Sequence, residues 1–187
     1  MLVKYLDRFG RPLTNPSSEE VALRDPLFTF SPYLSGRVTT LCHFANEILE
    51  CLDSAFGAES IDMTHFFRAE GLMWLWLLDS YEVVRTMLQA ERCFSERVRG
   101  ELRNLKRPLA AARMPAAKME KAGKKVPVTS ERSPAGMDVA TQDLLVNDPD
   151  DVDTISARWL IGEFDRVFTS IGKADIKCRH EDSYVRT

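Results

Sequence analysis

Side chains able to do chemistry fall in three places. The first is the run DSYEVVRT, where Tyr81, Glu82 and Arg85 follow closely on seven consecutive apolar residues, Leu72 to Leu78. Inside a helical bundle they would line a polar pocket, because buried charges must be paired and their proton affinities then move. Glu82 and Arg85 stand three apart and can equally pair on one helix face. The second place is basic: from Arg97 to Arg132 eleven Lys or Arg stand against three acids, among them Arg97, Arg99, Arg103, Lys106, Arg107, Arg113, Lys118 and Lys121. Such an array could contact phosphates and release counterions, with RNA as the partner, although no aromatic residue interleaves it to stack single-stranded bases. From Ser133 to Ser170 the balance reverses, with eight acids against two bases, so the two segments could neutralise each other. The third place is His43 and Glu47, one helical turn apart, which His65 or Glu70 could join around a metal. The paired Glu-x-x-His elements of carboxylate-bridged bundles are missing, so neither metal nor cofactor is assigned.

These residues must be held by helices. Val38, Leu41, Cys42, Ala45, Ile48, Leu49, Leu52, Ala55 and Phe56 recur at three- and four-residue steps and predict an amphipathic helix from Ser35 to Phe56. Gly57 is expected to end it in the left-handed conformation that glycine adopts without steric cost. A second helix is expected from Asp62 or Thr64 to about Arg92. Its middle is apolar all round but holds only seven consecutive apolar residues, against roughly 20 for a membrane span. It therefore reads as the central helix of a bundle, with Trp74 and Trp76 as core or interface anchors. A third helix opens at Ser95 and is expected to be disturbed by Pro108 and Pro115. Beyond it a connector over 108–153 holds a small hairpin around a Pro-Ala-Gly turn. A last helix, capped by Asp151 or Asp153, carries Leu160, Ile161, Phe164, Val167, Phe168 and Ile171 and stops at Gly172.

The predicted fold is mainly α, a bundle of about four helices with a short strand-containing connector. Residues 1–33, punctuated by four prolines, read as irregular apart from one short helical turn, with a small strand at LVKYLD. Residues 34–172 form the bundle, and 173–187 a polar, frayed tail. Within the first helix, RVTTLCH, from Arg37 to His43, has the R-x(4–6)-H spacing of the HEPN superfamily, and WLLDSYEVVRTM resembles the buried helix of such domains. The resemblance covers about residues 35–110. It implies a dimeric, metal-independent ribonuclease in which Arg37 stabilises the scissile phosphate and His43 is the general acid or base. In a regular helix, however, the two side chains diverge by about 120°.

A net charge of −3 is too small to assign the whole surface to nucleic acid or membrane. The first sixteen residues hold no apolar stretch of the length a secretory signal needs, which predicts a cytoplasmic protein. Cys42, Cys51, Cys93 and Cys178 include no CxxC pair and no zinc-finger spacing, so reduced thiols are expected, with Cys42 and Cys93 as small core hydrophobes. The expected function is protein–protein interaction as a homo-oligomer or subunit, with HEPN-like ribonuclease as the alternative.

Overall fold

The computed structural model describes residues 3–9, 15–118, 120, 127, 135–147 and 154–184. Within them α1 (Ser18–Arg24), α2 (Pro26–Phe30), α3 (Pro32–Phe56), α4 (Met63–Gln89), α5 (Glu96–Lys118) and α6 (Ala157–Ser170) surround one apolar core. The strands β1 (Gly136–Asp138) and β2 (Asp143–Leu145) pair antiparallel, Met137 opposite Leu144. This is the mainly helical bundle with a short hairpin that the hydrophobic periodicity predicts. None of the described helices is long and apolar enough to cross a membrane.

The long pair α3 and α4 forms the frame. Ser31 caps α3, its Oγ accepting the Leu34 N–H, and Pro32 takes the first helical position, where no N–H is needed. Asp62 caps α4 by accepting from the N–H groups of Thr64 and His65 at 2.8 and 3.2 Å. The central residue of α4 is Trp76, fully buried, whose indole N–H donates to the Leu41 carbonyl of α3 at 3.1 Å. Its ring meets Phe164 of α6 edge-on at 5.2 Å, and Phe164 stacks on Phe168 at 4.2 Å. Three helices thus converge on one aromatic group, each buried ring removing a large apolar area from water.

Several expectations are corrected. Within the first 33 residues, those described are largely helical rather than irregular, and Lys4–Phe9 forms a 3₁₀ turn where a strand was expected. The cause lies far away in sequence: the buried Asp165 carboxylate of α6 accepts the Lys4 and Tyr5 N–H groups at 3.0 and 2.8 Å. Two short helices follow, α1 on a Ser17/Glu20 capping box and α2 on Asp25. Helix α5 runs through Pro108 and Pro115 to Lys118, because Leu102, Leu105, Leu109 and Ala112 are buried against the core. Gly57 ends α3 with φ −77° and ψ −4°, a right-handed conformation. Glycine is required there by crowding, since a Cβ would lie 2.9 Å from the Asp53 carbonyl oxygen. The hairpin turn lies at 139–142, held by Asp138 accepting from Ala140 N–H and from Thr141, whereas Gly136 sits within β1 and Pro134 outside the described residues. Asp151 and Asp153 also fall outside them, and Ser156 caps α6 through the Trp159 N–H.

The tail and the cysteines depart furthest from expectation. Cys93 and Cys178 form a disulfide, so they are not reduced thiols, while Cys42 and Cys51 are buried free cysteines. Burial, reinforced by the charge of Asp165, pushes the Cys42 thiol up to about 12, which makes it an inert core residue. The polar tail is docked as far as it is described. Ser95 N–H donates to Asp175 O, Lys177 N–H to Cys93 O and His180 N–H to Phe30 O, each between 2.8 and 2.9 Å.

Candidate functional site

Two surfaces carry features that packing alone does not explain, and both are built on α4. On its N-terminal half, Phe67 is 60% exposed, Trp74 48%, Leu75 47% and Met63 41%. Steps of 3.6 residues per turn place Met63, Phe67, Gly71, Trp74 and Leu78 on one stripe, with Leu75 at its edge. The opposite side of the same turns supplies Phe66, Ala69, Met73, Trp76 and Leu77 to the core. The all-round apolarity of this stretch therefore divides into a core face and a face turned to solvent. Trp74 is held in place by its indole N–H, which donates to the Ala116 carbonyl of α5 at 3.0 Å. Its inner edge borders a small apolar pocket of about 130 Å³ that includes Met73, Leu77, Leu144 and Val146. Gly71, at the middle of the stripe, has open space where a Cβ would stand.

The second surface is a polar groove of about 280 Å³ at the other end of α4. Helix α3 and its cap contribute Ser31, Tyr33, Leu34 and Arg37, and α4 contributes Asp79, Glu82, Val83 and Thr86. The wall is completed by His180 of the tail. Arg37 pairs with Asp79 and lies 6.0 Å from the centre of the Tyr33 ring. Hydrogen bonding to Asp79 raises the guanidinium's proton affinity further, so Arg37 is a permanent cation there. Glu82 accepts from Arg85 at 2.6 Å and meets Arg113 of α5 at 3.5 Å, and Arg113 stands 4.7 Å over the Tyr81 ring. Of Tyr81, Glu82 and Arg85, the trio expected to line a pocket, Glu82 alone is among the described lining residues; Arg85 serves it as an ion-pair partner.

Arg37 and His43 are not brought together. Both are exposed on α3, but six residues separate them by about 9 Å of rise and about 120° of rotation. Arg37 faces the groove with His180, whereas His43 does not line it. Glu47, the acid nearest His43 in sequence, is engaged by Arg68 of α4, and among the described residues no group of three or more His, Cys, Asp and Glu could hold a metal ion.

Of the seven basic residues of the 97–132 segment that are described, four are paired with acids of the fold. Arg97 binds Asp175 and the Ser170 carbonyl, Arg99 meets Glu96, Arg103 meets Glu91 and Arg113 meets Glu82. Lys106 and Arg107 border a shallow groove together with Arg103 and Glu91. Lys118 is exposed at the end of α5, and Lys121 lies outside the described residues.

Sequence reasoning missed His180 and the disulfide that carries it to the groove. The available signal was the alternation Ile176, Cys178, His180, a two-residue period in an otherwise polar tail. Ile176 does pair as an isolated antiparallel bridge with Phe94. In comparisons with known protein families, curated proteins and solved structures, nothing matches this chain.

Proposed function

We propose that the protein acts by association, as a non-catalytic subunit whose two copies dock through the N-terminal half of α4. The observation that carries this reading is the exposed apolar stripe of Met63, Phe67, Trp74 and Leu75 on a helix whose opposite side builds the core. Exposed large side chains scattered singly need no explanation, but a contiguous row marks an interaction surface. A second copy suits the row. In an antiparallel isologous crossing centred on Gly71, Phe67 of one copy meets Leu75 of the other, and Arg68 reaches the face of Trp74 as a cation over an aromatic ring. The missing side chain at Gly71 lets the two helices approach closely on the axis.

Light scattering tests this reading. The expected wild-type mass is twice the 21.3 kDa of the chain, and Leu75→Asp or Phe67→Asp should return it to the monomer without loss of helical circular dichroism. A monomeric wild type at tens of micromolar overturns it. The same sample incubated with mixed RNA checks the catalytic alternative, since cleavage lost in His43→Ala would replace the non-catalytic reading. A cytoplasmic place of action, expected from the N-terminal residues, meets a counter-signal in the disulfide, because paired cysteines persist mainly in oxidising compartments. The two agree if the bond is reversible.

A further inference from the structure

We propose that the Cys93–Cys178 bond is a redox clasp: oxidised, it holds residues 178–184 against the α4–α5 turn and keeps His180 in the wall of the Arg37 groove, and reduced, it releases them. The docked tail has two parts that are anchored differently. Its first part needs no disulfide. The Asp175 carboxylate accepts from Ser95 Oγ, Arg97 and the Gly172 N–H, Ser95 N–H donates back to the Asp175 carbonyl, and Ile176 bridges Phe94. From Cys178 onward the attachments to the body include the disulfide itself, the His180 N–H to the Phe30 carbonyl, the edge of the His180 ring 5.3 Å from the Phe30 ring, and Arg92 reaching the Asp182 carbonyl. Breaking the one covalent link therefore acts on the second part selectively.

The bundle is not built on the clasp. Its core lies among α3, α4, α5 and α6, and a chain of 187 residues buries enough apolar surface to fold without a covalent staple. The sulfurs also differ in access, Cys93 being fully buried and Cys178 half-buried. A small dithiol would thus enter at Cys178. One thiolate of the reductant attacks Cys178 Sγ, the S–S bond breaks, and Cys93 Sγ leaves with the electron pair and takes up a proton. The second thiol of the reductant, deprotonated, then displaces Cys178, which is protonated in turn, and the reductant departs as its own disulfide. Eight of the groove's lining residues belong to α3, α4 and the α3 cap and stay in place, whereas His180 leaves. The groove then opens on that side with Arg37, Asp79 and Glu82 unchanged.

The experiment is hydrogen–deuterium exchange on the full chain, oxidised and after dithiothreitol, beside a Cys93→Ser/Cys178→Ser variant. The expected result is exchange at least tenfold faster over 178–184 in both the reduced protein and the variant, with α3 and α4 unchanged and the His180 ring protons losing their shift from Phe30 in NMR. Four results would overturn the clasp. Exchange over 178–184 could stay the same on reduction, or α4 and α5 could lose protection together with the tail. A variant without helical circular dichroism would make the bond a folding staple and reject the switch. Recovery of Cys93 and Cys178 as free thiols from protein purified under an alkylating agent in air would also reject it.

Discussion

The Asp175 carboxylate stands where three elements meet, between the start of α5, the end of α6 and the tail. Burial pushes its pKa up, but the hydrogen bonds from Ser95, Gly172 and Arg97, with the charge of Arg97, outweigh that and hold the carboxyl below its ordinary range. The sign of the pH dependence follows. A depressed carboxylate contributes stability that is fully present above its unfolded value, about 3.9 for Asp, and is lost as pH falls through the folded value. Asp175→Asn should therefore cost about 1.5–3 kcal/mol at pH 7, the range for hydrogen bonds to a charged group, and less at pH 2. Urea titrations at both pH values check this, and an equal cost at both would mean that the charge is irrelevant. Legibility at this scale was uneven. The Glu82–Arg85 pair was readable because its partners lie three apart on one helix. The partnership of Arg37 with Asp79 and His180 was not, since those residues come from three distant segments and no local period connects them.

Helix α5 shows where local propensity gave way to packing. Two internal prolines lead the sequence to predict an early end, because each removes a backbone N–H and crowds the carbonyl four residues back. The helix nevertheless continues, since Leu105, Leu109 and Ala112 straddle Pro108 and are buried to within a few percent against the core. Burial of such side chains is worth roughly 1.5–3 kcal/mol each for the larger ones, enough to offset one proline. The helix should then carry the proline as a cost. Pro108→Ala is expected to raise stability by up to about 3 kcal/mol, read as a higher denaturant midpoint at an unchanged slope. A destabilised variant would show that α5 needs a kink at that point. Elements with long apolar periods, α3, α4 and α6, were legible from sequence for the complementary reason that period and burial agree in them. The N-terminal turn and the tail were not, because Asp165 and the disulfide hold them from 160 and 85 residues away.

Across the whole molecule, α4 serves the two candidate surfaces at opposite ends. The stripe is centred on Gly71 and the clasp lies beyond Gln89, so about 27 Å of regular helix separates them. A continuous helix with Trp76 buried at its middle gives no sign of two alternative packings, and coupling between distant sites requires an element with two arrangements. Perturbations more than about 10 Å apart without shared partners add independently, within about 0.5 kcal/mol. Association through the stripe should therefore ignore the redox state of Cys93 and Cys178. Sedimentation equilibrium of wild type with and without dithiothreitol is expected to give dimer constants that agree within about twofold, the factor that 0.5 kcal/mol represents. Leu75→Asp, conversely, should leave the release of 178–184 on reduction unchanged in hydrogen exchange. A dimer that dissociates on reduction would place the tail, or the Phe30 and Phe94 surface beneath it, inside the subunit contact and move the interface from the N-terminal to the C-terminal half of α4.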